Sequence, residues 1–330
     1  MKNFVKIALC GMLVIAAALP SYAAPFKMKI SMGDPDTHIN LKLMKEEFKP
    51  SLEKTTKGQV VVEVYAGGIL GSYRESIEGM QMGSIEAAQV NASSLTGFSK
   101  RYYCVGLPYA FPDKKSFYKA YNGAVGKKLF EVLPPVGLIG VGYLDNGMRS
   151  VTNNRKPIHT PDDLKGLKIR VLESPINIAT WKLLGANPTP ISYGELYTAL
   201  QQKTVDAQEN CAVIINEIKL QQVQKYYSLT KHQSDVDVLL ISKKFYDKLS
   251  PELQKIVINE LHKYCALQQK AFEKEDAKAM DKLKKDGMIV NDLSDAERKA
   301  FFDKVRPVYK QFRNEIGGDL VDLIMSYQNK

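Results

Sequence analysis

No C-x-x-C pair and no cluster of cysteine with histidine occurs in this sequence. Its four histidines, His38, His159, His232 and His262, stand far apart, so a zinc site has no support. Nucleotide and catalytic signatures are missing as well. There is no G-x-G-x-x-G, no G-x-x-x-x-G-K-[ST], no G-x-S-x-G and no H-E-x-x-H. Acidic residues are plentiful, but no pair of them stands out as a general acid and base. Long apolar runs are confined to the beginning of the chain, and no later segment approaches the roughly 20 apolar residues that a membrane span requires.

That beginning reads MKNFVKIALCGMLVIAAALPSYAAP. Two lysines precede an apolar run from Ile7 to Leu19, and Pro20 and Ser21-Tyr22-Ala23 follow. This is the layout of a secretory leader, with cleavage expected after Ala23. Leu9 before Cys10 does not suit lipoprotein processing. Cys104, Cys211 and Cys265 then remain, an odd number that leaves at least one thiol outside any internal bridge. The chain is basic, with 46 Lys and Arg against 36 Asp and Glu. Its lysines are interleaved with acids, as in EKEDAKAMDKLKKDG, which is the pattern of a solvated face. Nucleic acid is therefore not an expected partner, and the excess charge suits attraction of a small anion better.

What is present alternates. FKMKISMG reads as a strand, LKLMKEEFKPSLEKTT as a helix and QVVVEVYAGG as a strand. A helix over GSYRESIEGMQMG and a short strand near Ala87–Val90 follow. A second series runs through GLIGVGYLDNG, GLKIRVLES, NIATWKLLG, ELYTALQQK, Asp206–Asn210, a helix over 213–225 and the strand VDVLLIS. Strand, helix, strand in repeated order predicts parallel sheets covered by helices. The last third is helical: Ser250 and Pro251 open a helix expected to reach about Lys285, and S-D-A-E at Ser294 offers a capping box. The expected fold class is α/β, with two Rossmann-like lobes around a cleft and a long helix bridging them. Residues 24–147 with 236–275 are assigned to lobe I, and 148–235 with 276–330 to lobe II. Ligands favour the strand ends facing such a cleft.

The segment DDLKGLKIRV places Arg170 on a short strand between Ile169 and Val171, where it points either to solvent or into the cleft. Other polar residues mark successive loops at strand ends. They are Arg149 in DNGMRSV, Asn210 in VDAQEN, Asn91 in QVNASS, Tyr193 in PISYGE and His38 in the first loop.

NGMRSVTNNRKPI, TPDDLKGLKIRV, GANPTPISYGELYTALQQKTVDAQEN, GGILGSYRE and MGSIE together resemble the extracytoplasmic solute-binding proteins of tripartite ATP-independent periplasmic (TRAP) transporters, the DctP-like family. The resemblance runs over essentially the whole chain after the leader. Ala207, where the family often has glycine, and Cys211, where a proline is common, are small departures. It implies a fold like that of type II periplasmic binding proteins, a periplasmic location, no cofactor and no catalysis. It also implies capture of an organic acid and its delivery to the membrane permease subunits.

By its position in the K-[IL]-R-V strand, Arg170 is implied to pair with a substrate carboxylate. A guanidinium fork matches a carboxylate through two bonds and stays charged. Arg149 is implied as a second anion-facing arginine, Asn210 as a supporting amide, Tyr193 as an aromatic wall and Asn91 as a variable solute-facing position. With Arg74, His38, Asp34, Asp235 and Asp237 around the cleft, the lining suits a hydroxylated acid. A hexuronate or similar sugar acid is the favoured solute. A C4-dicarboxylate or sialic acid is the alternative, and an exported carboxylated-sugar hydrolase or lyase is the competing class.

Overall fold

The computed structural model describes residues 24–328. The leader and its expected cleavage site lie outside these residues. Nine strands form one continuous sheet: β1 (Phe26–Met32), β2 (Val60–Tyr65), β3 (Ala87–Asn91), β4 (Leu138–Asn153), β5 (Lys168–Val171), β6 (Asn187–Pro190), β7 (Ala207–Asn210), β8 (Tyr226–Ser242) and β9 (Ile289–Asp292). Their order is β2-β1-β3-β8-β4-β7-β5-β6, and β9 pairs with β8. β1 runs parallel to β2 and β3, and β5 runs parallel to β6 and β7, as the alternating pattern predicts.

β4 and β8 tie the two parallel sets together. They are 16 and 17 residues long and antiparallel, and each runs from one half of the sheet into the other. The sequence suggested only the apolar end of β8. Its first half, YYSLTKHQSD, is more polar, and Ser228, Thr230, His232, Gln233 and Asp235 there make buried hydrogen bonds. The β4–β8 register slips between Asp145 and Met148, where Gly147 adopts φ +81. A Cβ at Gly147 would sit 2.5 Å from the Cys211 Cβ, so the bulge requires glycine there.

Each half has its own core. Met28, Ile30, Leu41 and Val60 pack under one face of lobe I, and Ile77, Val90, Tyr102 and Leu240 under the other. In lobe II the corresponding sets are Ile215, Tyr227 and Leu283, and Val151, Leu164, Ile169 and Trp181. The expected long helix spans Pro251–Lys285, 35 residues, with the Ser250 Oγ accepting from the Leu253 amide. Its first half buries Val257, Leu261 and Tyr264 in lobe I, and its second half buries Phe272, Ala279 and Leu283 in lobe II. One rigid rod therefore contacts both lobes.

The C-terminal segment divides differently from the expectation. The helix Asp295–Val305 packs Phe301 and Val305 against Leu164 and Trp181 of lobe II. The helices Pro307–Ile316 and Gly318–Gln328 instead bury Val308, Phe312, Leu320 and Ile324 in the Ile77–Tyr102 core of lobe I. Asp319 reinforces this through Arg101, at 3.1 and 3.0 Å, and Lys128, at 2.9 Å. Cys104, Cys211 and Cys265 are all buried and free.

Candidate functional site

Arg170 lies on β5 with 1% of its surface exposed, so it does not point to solvent. Its Nε donates to the Ile191 carbonyl at 2.8 Å, which fixes the plane of the guanidinium. Its Nη1 is buried and has no hydrogen-bond partner. Burial, then the neighbouring Arg149 charge, lower its pKa to about 10, and the group remains a cation at neutral pH. A buried cation with an idle donor is costly unless an anion joins it.

Arg149, on β4, is equally buried but differently employed. Its Nε and Nη2 bond to the Glu209 carboxylate on β7, and its Nη1 donates to Asp235 at 2.5 Å. Burial opposes charge on Glu209, yet Arg149 and His232 hold its carboxyl down at about 2. Two carboxylates thus already share the fork of Arg149, the residue expected as a second anion-facing arginine.

A hydrogen-bonded chain continues from there across the floor of the cleft. Asn91 Nδ2 donates to Asp235 at 3.0 Å and to Asp237 at 3.2 Å. Gln89 Nε2 donates to Asp237 and to Asp34, both at 2.9 Å. Asn40 adds a donor to Asp34 at 3.2 Å. His38 caps the following helix through Nδ1, and its Nε2 lies 3.5 Å from Glu217 of the other lobe. Burial raises the Asp237 carboxyl well above the usual range, and the charges of Asp34 and Asp235 raise it further. Burial lowers the His38 pKa against the pull of Asp34. Asn91, the expected solute-facing position, accepts from the Ser93 amide through Oδ1 while its Nδ2 serves two carboxylates, so within the protein it braces the floor.

Tyr193 lines a cavity, and its hydroxyl is buried without a partner. Its ring is parallel to that of Tyr73 from lobe I, with centroids 6.1 Å apart and planes 9° apart. Tyr73 lies close over Gly33, where an added Cβ would fall 2.6 Å from its ring. Outside the two rings a 180 Å³ cavity opens, lined by Gly33, Gly67, Gly68, Glu173 and Ser192. Ser93 Oγ and Ser174 Oγ are further buried polar atoms without partners. Asn210 is buried at the end of β7, with its Nδ2 donating to Gln208 Oε1 at 2.9 Å. Arg74 is the outlier among the expected residues. It is exposed, paired with Glu78 at 2.9 Å, and it stands away from the buried cluster.

Residue-type reasoning missed Glu209, Gln89 and Tyr73. Glu209 and Tyr73 adjoin residues that were singled out, in QEN and SYR.

The profile of the family described as "Bacterial extracellular solute-binding protein, family 7", DctP, matches residues 30–315. The chain belongs to this DctP family. It is 34% identical over 315 residues to the 2,3-diketo-L-gulonate-binding periplasmic protein YiaO of Escherichia coli, covering 94% of each chain. Its fold matches the sugar acid binding protein DctPAm of Advenella mimigardefordensis in complex with galactonate. That match has a TM-score of 0.89 at 31% identity and covers 92% of this chain and 98% of the other. A TRAP periplasmic solute-binding protein of Shewanella oneidensis with bound succinate also gives 0.89, at 26% identity, covering 93% and 100%. The DctP-type chain described here is a solute-binding protein of a TRAP transporter, and it is not an enzyme.

Proposed function

We propose that this protein is exported to the periplasm, captures a sugar acid such as a hexuronate between its lobes, and hands it to the permease subunits of its transporter. The carrying observation is Arg170, a fully buried cation with an unused Nη1 donor. The carboxylate of the solute takes that donor, Asn210 supports it, and Tyr193 with Tyr73 covers the sugar. Hydroxyls of the solute satisfy the idle Tyr193, Ser93 and Ser174 oxygens, a task that an aliphatic acid leaves undone. The sugar-acid relatives named above support this reading.

Transport requires opening and closing, and β4 and β8 provide the flexible crossing while the long helix braces both lobes. Contacts from both lobes favour the closed form, and that difference in affinity drives closure. A thermal-shift screen over organic acids, followed by calorimetry, tests the proposal. Saturable binding of a uronate or aldonate is expected. Binding confined to acids without hydroxyls would overturn it.

A further inference from the structure

The floor of the cleft is polarised along its length. At one end stand Arg170 and Arg149. At the other stand Asp237 and Asp34, joined to Arg149 through Asp235 and the amides of Asn91 and Gln89. Most donors at the acidic end are committed: Gln89, Asn91 and Asn40 each donate from their amides to aspartates, which leaves the neutral Tyr193 hydroxyl and His38 Nε2 without partners. The Arg149 cation is matched by Glu209 and Asp235. Lys42 acts on His38 and Glu217 from an exposed position on its helix.

We infer that the Asp237–Asp34 end is a specificity device that admits neutral hydroxyls and rejects a second carboxylate. The site would therefore take monoanionic polyhydroxy acids and exclude their dianionic counterparts. This rests on the reading that Arg170 holds the first carboxylate.

The chemistry follows from what that end offers. It presents chiefly aspartate acceptors and, among the described residues, no free cation, and a hydroxyl can donate to an acceptor while a carboxylate cannot. A second carboxylate would also be a like charge beside buried aspartates, without a cation left to pair it. The raised carboxyl of Asp237 points the same way: burial, and then the charges of Asp34 and Asp235, disfavour negative charge at that end. The mouth offers no rescue. Its one charged residue is Glu173, and the rest of its lining is glycine, serine and tyrosine.

The test uses matched pairs that differ only in a terminal CH2OH or carboxylate: galactonate with galactarate, and gluconate with glucarate. Calorimetry on the wild-type protein at pH 7 should show the monoanion bound about 100-fold more tightly. Asp237→Asn and Asp34→Asn should narrow that ratio to about tenfold or less, chiefly by improving the dianion. A measurement on the wild type alone covers the case in which the variants do not fold. Galactarate should gain on galactonate as pH falls towards about 4, where its second carboxyl takes up a proton. Equal affinity for both members of a pair in the wild type, or a ratio unmoved by both variants and by pH, would overturn the inference. Absence of binding by every member of both pairs would instead overturn the sugar-acid reading on which it rests.

Discussion

Gln268 holds the backbone of Asp145 at both of its polar groups. Its Oε1 accepts from the Asp145 amide at 3.0 Å, and its Nε2 donates to the Asp145 carbonyl at 2.8 Å. Gln268 belongs to the long helix, and Asp145 stands where β4 leaves register with β8. The same Nε2 donates to Asn40 Oδ1 at 3.0 Å, and Asn40 in turn binds Asp34. The bracing helix, the strand bulge and the acidic end of the cleft floor are thus joined through one carboxamide.

Gln268→Ala should therefore leave two buried backbone groups unsatisfied. We expect a loss of roughly 1–3 kcal/mol in the ligand-free protein. Solute affinity should fall too, because the Asn40–Asp34 contact loses its support. Denaturant unfolding with and without solute checks both effects, and unchanged stability would mean that the bulge does not depend on Gln268.

Asn91 gives a second prediction, distinct from that of a solute-facing amide. Asn91→Ala removes the donor shared by Asp235 and Asp237 and should destabilise the empty protein by roughly 1–3 kcal/mol. An asparagine used only by the solute would leave the empty protein's melting point unchanged and weaken binding alone. Melting curves of the two ligand-free proteins separate these cases.

The pH dependence of stability carries a definite sign. Burial, then the charge of Asp34, push the Glu217 carboxyl up to about 8. The folded protein then holds a proton that the unfolded chain releases, so stability falls as pH rises towards 8. His38 acts oppositely. Its lowered pKa makes stability rise with pH, but only up to its ordinary value of 6.5. Between pH 6.5 and 8 the Glu217 contribution is therefore the one that remains of this pair. Glu217→Gln should remove that part of the decline, read as the difference between wild-type and variant melting curves across the window. Parallel curves would refute the assignment.

The strand–helix alternation was legible because apolar residues recur at period two in FKMKISM and at helical spacing in the segment after Pro251. Arg170 was legible as a cation on an apolar strand. Its burial was not, since the groups whose charges act on it include Arg149 on β4 and Glu209 on β7, 21 and 39 positions away in the sequence. The pairing of Arg149 was hidden for a related reason. Glu209 and Asp235 lie 60 and 86 positions away, and only the adjacency of β7, β4 and β8 brings them together. The last third was legible as helical, but a helical pattern does not say against which lobe its buried face packs. Arg74 attracted notice by its charge, whereas the neighbouring Tyr73 is the residue that turns into the cleft.

The central claim is that Arg170 holds the carboxylate of the solute, and calorimetric titration of wild type, Arg170→Ala and Arg170→Lys with the best-binding acid tests it most directly. Arg170→Ala should raise Kd at least about 30-fold, equivalent to roughly 2 kcal/mol or more. Arg170→Lys should also bind poorly, because an ammonium keeps the charge but loses the paired geometry. Both ligand-free variants should melt at or above the wild-type temperature, since an unpaired buried cation has been removed or made easier to neutralise. Wild-type affinity in Arg170→Ala, or early melting of both variants without solute, would contradict the account.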